Sequence, residues 1–441
     1  MSARLTDNYG LNCTGPAGAM QGINDFCDGF VAYQPRSVNV LQAADDYPDS
    51  PLANIYSAML WMFLERPEAP AKSIPYSQRV EKLDGLNERE KGLLAMVKAW
   101  QQYDFKKVIA IGETLCAAYP SDLSLLKVVQ YHAFNAADAA LMLKLALAGQ
   151  SANANRAPVH SMIAFGYEQS HEIDLAEQSA HTALSIDPHE PWAHHALAHV
   201  HLSRGTTKQG LGILNSSAES WKDLNSFMFT HNWWHIALFE IANGDVTAAL
   251  NIYDDRCWGV QPDYSQDQIG AVSLLARLEM AQVDVGERWH SLLPYLESRA
   301  DDVIQPFLCL QYLYGLAKAK SPNAASLLAL IKQQAENPVV SQDKCLWESV
   351  GVPVAEGIVA HAHGDHEKAV EKLAPVRSQI WKIGGSHAQR DLFEQILLDA
   401  RLRAGHWESA RKTLEHRKTW EPESPLLHQR LNDTYRHLNI Q

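Results

Sequence analysis

A chain of 441 residues is about three ordinary domains long, and with 46% hydrophobic and 20% charged residues it cannot be a disordered, collagenous or extended coiled-coil protein. Thirty-eight Lys and Arg against 51 Asp and Glu leave a formal charge of −13, which opposes neutralisation of a phosphate backbone and excludes nucleic acid as an expected partner. The first residues carry no apolar leader core, and the longest greasy stretch, around Ala58 to Leu64, is far too short to span a bilayer. A cytoplasmic protein without membrane contact is therefore expected. The six cysteines form no CxxC pair and read as reduced thiols.

Apolar residues recur at three and four along most of the chain, which predicts an all-α protein. Residues 1–150 read as degenerate helical hairpins, with YDFKKVIAIGETLCAAYPSD near Pro120 a degenerate early copy. Residues 151–441 carry clearer tetratricopeptide-like units, in which small residues let two antiparallel helices approach and a Pro or Gly-Asp turn ends each helix. These are Tyr167, Ala176, Ala183 and Pro188; then Gly244, Asp245 and Ala249; then Gly364, Asp365 and Ala369; and finally Gly405 and Ala410. No connecting loop is long enough to be a disordered linker, so one continuous array is expected. The irregular spacing of the copies favours a compact α-solenoid, open to closure on itself, over a uniform superhelix.

The repeat register assigns faces. With Pro188 and Gly244 as turn residues, Trp192, His195 and His199 fall on concave positions of one unit, and His231, His235 and Phe239 on those of the next. Each helix thus presents an i,i+4 histidine pair to one groove. HxxxH spacing suits zinc when a third ligand arrives from elsewhere, but neither pair contains the Glu of HExxH, so no metal and no cofactor are expected. The metal-free chemistry is an imidazole general base oriented by a carboxylate, for which Asp254, Asp255 and Asp267 are candidates. The alternative is that these histidines only pack, each with a polar tip satisfied by a neighbour. His361, His363 and His366 straddle a Gly-Asp turn and read as turn and surface.

Near the C-terminus, WKIGGSHAQRDLFEQ places Ser386 three residues before Gln389, a capping box that starts a helix. Arg390 opposes the helix dipole there, so it is expected to reach a carboxylate, of the ligand or of Asp399.

The strings HHALAHVH, HNWWHIALFEIANGDVTAALNIYD, LLARLEM, VGERW, VGVPVAEGIVAHAHGD and GGSHAQRDLFEQILLDA together resemble the tetratricopeptide repeat protein 38 family. They stand in that family's order from about residue 190 to 425, and HNWWH and GGSHAQRD discriminate it from other repeats. The resemblance implies the tetratricopeptide-like fold along the whole chain and assigns no reaction. It supports His195, His199, His201, His231, Trp234, His235, Tyr253, Asp254, Arg277, Gly286, Arg288, Trp289, Gln389, Arg390 and Asp391. The chain departs from the family where an Asp-x-His is expected, reading Leu308, Cys309, Leu310 and Gln311, and Gly270 replaces an expected acidic residue.

Two functional readings follow. In the first, a small-molecule enzyme, a hydrolase, lyase or isomerase, works by acid–base chemistry in an interior pocket. Its catalytic candidates are His195, His199, His231, His235, Asp254, Arg390 and Asp391, and Trp192, Trp234, Phe239, Tyr253 and Gln389 contact the substrate. In the second, a non-catalytic array binds a peptide or protein in its concave groove. Either is compatible with an oligomer. No phosphate-binding glycine loop, Rossmann fingerprint or GxSxG elbow is present.

Overall fold

The computed structural model describes residues 5–340 and 343–440. Packing divides the chain into two units, Met1–Ala196 with Ser220–Met228, and Leu197–Glu219 with Phe229–Gln441.

The first unit opens with an antiparallel pair, β1 (Leu5–Thr6) and β2 (Asn12–Cys13), which is the only sheet among the described residues. Helices follow: α1 (Met20–Val31), α2 (Asn39–Asp46), α3 (Pro51–Met62), α4 (Ala69–Val80), α5 (Glu88–Gln101), α6 (Phe105–Ala118), α7 (Leu123–Asn135), α8 (Ala139–Gln150), α9 (Ala157–Gln169) and α10 (Ile173–Ile186). Consecutive helices pack as hairpins, α3 with α4, α5 with α6, α7 with α8 and α9 with α10. Ala176, Ala180 and Ala183 are wholly buried where α10 lies on α9, which is why the repeat demands small residues there. A charged knot ties the N-terminus down: Arg89 donates to Asp7 at 2.6 Å, to Asp122 at 2.8 Å and to the Tyr56 hydroxyl at 2.8 Å, all buried.

The division between units falls inside two continuous helices, α11 (Pro191–Arg204) and α13 (Ser226–Asn243), with α12 (Thr207–Ser217) between them in sequence. The second unit continues with α14 (Val246–Ile252), which widens into a π turn over Tyr253–Cys257, then α15 (Ser265–Met280), α16 (Arg288–Glu297), α17 (Pro306–Lys318) and α18 (Asn323–Glu336). A short α19 (Lys344–Leu346) runs through a π turn into α20 (Val352–Ala362), followed by α21 (His366–Leu373), α22 (His387–Arg403), α23 (Trp407–Arg417) and α24 (Pro425–Leu438). Its core includes Trp234, Tyr253, Trp289, Tyr312, Trp347 and Phe393. Gly210 allows α12 to lie close on its neighbours, since a Cβ there would meet the Phe239 ring at 2.6 Å and His201 at 2.7 Å.

One connector recurs in both units: a residue with left-handed backbone, then a side chain that caps the next helix. Gly244 (φ 90°) precedes Asp245, and Gly364 (φ 82°) precedes Asp365, as the Gly-Asp turns predict. Tyr103 (φ 55°) before Asp104 and Ala137 (φ 57°) before Asp138 make the same turn without glycine. The all-α hairpin fold expected from periodicity is the fold observed, and among the described residues no helix is long and apolar enough to cross a membrane.

Candidate functional site

Helix α11 carries His194, His195, His199 and His201, all buried. Their roles separate on contacts. His194 accepts from the Trp221 indole N–H at 3.2 Å and pairs through Nε2 with the Pro188 carbonyl at 3.1 Å, and His201 bonds the Thr206 hydroxyl at 2.7 Å, closing the turn after its own helix. These two hold the chain. His195, in the first unit, stacks on Trp192 at 4.1 Å and meets Phe165 at 5.1 Å. Trp192 in turn packs on Tyr33 at 5.3 Å and Phe165 at 4.8 Å.

One helical turn beyond His195, His199 faces α13, and its ring lies edge-on to His235 at 4.7 Å. His231 and His235, a turn apart on α13, are edge-on to each other at 4.9 Å, and Trp234 stacks flat on His231 at 5.2 Å and edge-on to His235 at 4.9 Å. One ring nitrogen from each of His199, His231 and His235 lies within 4.8 Å of the others. Burial pushes the His231 imidazole down to about 3 and that of His235 well below its usual range, with His199 adding repulsion in both cases. These rings are neutral at physiological pH and present lone pairs.

Arg277 of α15 is the cation beside this group. Its guanidinium lies 5.5 Å from the Trp234 ring, donates to the Ala388 carbonyl at 2.8 Å and to the Ser273 carbonyl and hydroxyl, and burial lowers it to about 10. The strings HNWWH and GGSHAQRD therefore meet through Arg277, a residue that repeat register gave no reason to single out. Asp267 at the start of α15 is buried and accepts from the Thr230 hydroxyl at 3.2 Å, immediately before His231.

The other expected site residues are engaged elsewhere. Asp254 is gripped by Arg288 through both carboxylate oxygens, at 2.6 and 2.8 Å, on a surface where its side chain is 42% exposed. Tyr253 is buried in the core and its hydroxyl is pushed up by desolvation. Phe239 is buried against Gly210. Gln389 completes the expected capping box with Ser386. Arg390 turns back onto the Gly384 and Gly385 carbonyls and His387. Asp391 pairs with Arg417 at 2.5 Å and accepts from Gln395 at 2.6 Å, and despite burial the Arg417 charge holds it down at about 2. Asp399, a proposed partner of Arg390, instead bonds His361 at 2.9 Å and Arg403 at 2.7 Å. His361 is correspondingly buried, not on the surface as its place before a turn suggested, and its Nδ1 meets the Tyr314 hydroxyl at 3.1 Å. Leu308, Cys309 and Gln311, where the family motif is altered, are all buried in α17.

No family model matches the chain. Among solved structures, it is similar at 13% identity to a chain of the crystal structure of Rap protein complexed with competence and sporulation factor, covering 88% of this chain and 99% of that one with a TM-score of 0.37. It is also similar at 12% identity to a chain of the structure of Naa15/Naa10 bound to HypK-THB, covering 96% of this chain and 66% of that one with a TM-score of 0.26.

Proposed function

We propose that the protein is a metal-dependent member of the tetratricopeptide repeat protein 38 family, holding a divalent transition metal of the zinc class on His199, His231 and His235. The observation that carries this is the mutual approach of three ring nitrogens, one from each of these histidines, to within 4.8 Å. A tetrahedral site with metal–nitrogen bonds of about 2.0–2.1 Å needs nitrogens about 3.4 Å apart, so ring rotations that move each nitrogen by less than about 1 Å close it. Imidazole donors suit zinc, cobalt, nickel or copper and not magnesium or calcium, and three of them leave a coordination position for water or substrate. Such a centre supplies Lewis-acid chemistry for hydrolysis or a lyase reaction. It needs no carboxylate beside the imidazoles, consistent with Asp254 and Asp391 lying in pairs with Arg288 and Arg417. Arg277 is placed to favour an anionic group on the substrate.

Cobalt titration tests the reading without any knowledge of the substrate. The full chain, freed of metal by chelation, should take up about one Co(II) per chain with the visible bands of a tetrahedral nitrogen site. His231→Ala and His235→Ala should each weaken uptake at least about tenfold while keeping the helical circular dichroism. Absence of uptake by the unmutated protein overturns the proposal and leaves the second reading, a non-catalytic array that binds a peptide or protein. A melt that collapses in both variants, with uptake by the parent unaffected by competing imidazole, would mark the histidines as packing residues.

A further inference from the structure

The second unit holds a separate cavity of about 810 Å³, between the C-terminal ends of α15 and α22 and the last turns of α24. None of the histidines discussed above lines it. Its volume is within the range, about 300–1,000 Å³, that takes small organic ligands.

The charges in this cavity are unevenly committed. Glu279 forms an ion pair with Lys318 at 2.7 Å and Asp433 one with Arg436 at 3.0 Å, while Asp399 is bonded by Arg403 at 2.7 Å and His361 at 2.9 Å. Asp284, at the exposed rim, accepts from the Gly286 N–H at 2.9 Å. Three of the four carboxylates therefore already have a cationic partner, and Asp284 has a backbone N–H. On the cationic side, Arg430 lines the cavity and makes no ion pair among the described residues; it donates one N–H to the Met280 carbonyl at the end of α15. A guanidinium has five N–H donors, so one edge remains for a ligand. Arg403 uses its Nε on Asp399, leaving its terminal nitrogens beside the same space. Next to the two arginines stands a flat aromatic wall, Trp407 stacked on His437 at 3.9 Å with 4° between the planes, and Leu402, Val283 and Met280 supply apolar lining.

We infer that this cavity binds an organic carboxylate with a planar, apolar body, its carboxylate taken by Arg430 with Arg403 and its ring laid against Trp407 and His437. A cation is a poor fit, because Glu279, Asp399 and Asp433 are already paired with cations and Asp284 stands at the exposed rim. A bare inorganic anion is also a poor fit, because it leaves the aromatic wall uncovered and most of the volume filled with water.

Isothermal titration of the full chain with benzoate, cyclohexanecarboxylate and acetate separates the contributions. Benzoate should bind at least about tenfold more tightly than acetate, with cyclohexanecarboxylate between them, and should quench tryptophan fluorescence. Arg430→Gln should lower benzoate affinity at least about tenfold, and Arg430→Lys, which keeps the charge but not the fork, should fall between. Trp407→Leu, on the cavity wall, should erase the preference of benzoate over cyclohexanecarboxylate, and provides the test should Arg430→Gln fail to fold. His231→Ala should leave benzoate binding unchanged, so the two sites are read separately. No benzoate binding at millimolar concentration, or equal binding by wild type and a folded Arg430→Gln, would overturn the inference.

Discussion

His132 offers a measurable consequence of burial in the first unit. Its ring is 2% exposed, edge-on to Trp100 at 4.4 Å and to Tyr131 at 5.1 Å, and its Nε2 has no hydrogen-bond partner. Desolvation drives its pKa from 6.5 down to about 3. The folded protein therefore keeps this ring neutral where the unfolded chain would protonate it. Between about pH 6.5 and pH 3 the unfolded state binds the extra proton, so stability falls as the solution is acidified through that window. At about pH 5 the unfolded ring has gained about 1.5 pKa units of protonation free energy that the folded ring has not, on the order of 2 kcal/mol. His132→Leu, close in volume and unable to protonate, should be similar to the parent at about pH 7.5 and more stable than it by about 2 kcal/mol at about pH 5. Urea unfolding followed by circular dichroism at several pH values measures the difference. Because other buried histidines act equally in both proteins, the gap between the two curves isolates residue 132. Parallel pH profiles would show that the ring is solvated or hydrogen-bonded when protonated, and the reasoning would fail.

Glu190, buried in the first unit near Lys127, is raised by desolvation from 4.5 to about 7, so its contribution to stability is complete below about pH 4.5 and lost as pH rises through 7. Glu190→Gln should flatten that loss in thermal melts between about pH 4.5 and 7, and a variant that loses stability equally with rising pH would contradict it. Arg89→Met should cost about 3–5 kcal/mol in chemical denaturation, because it leaves Asp7 and Asp122 buried without their shared cation. Ala137→Gly should stabilise, or at worst not destabilise, since Ala137 sits at φ 57° where a side chain costs about 1 kcal/mol. Gly210→Ala should lower the melting temperature, with a penalty of about 1–3 kcal/mol from the contacts at 2.6 and 2.7 Å.

Much of the local structure was legible because it depends on neighbours in sequence. Ser386 and Gln389 form their capping box from a spacing of three, and Gly244-Asp245 and Gly364-Asp365 announce their turns because glycine tolerates the left-handed backbone that the following cap requires. The equivalent turns at Tyr103 and Ala137 carry no such mark, since nothing in a tyrosine or an alanine signals a positive φ that the packed hairpin imposes. The histidine spacing of four on α11 and α13 was likewise legible, as i,i+4 residues share a helix face whatever lies opposite.

The pairing of charges was decided elsewhere. Asp254 meets Arg288 across 34 residues, Asp399 meets His361 across 38, and Arg277 reaches the Ala388 carbonyl across 111. A sequence pattern indicates which side of a helix a carboxylate occupies, but its partner is whichever cation the tertiary packing brings within about 3 Å, because a buried charge is tolerated only when paired. The sequence by itself thus determined helices, hairpins, caps and the histidine faces, all set by contacts within a turn or two. Only the tertiary structure decided that Arg277, and not Arg390, stands beside Trp234, and that Asp254 and Asp391 lie in ion pairs with Arg288 and Arg417.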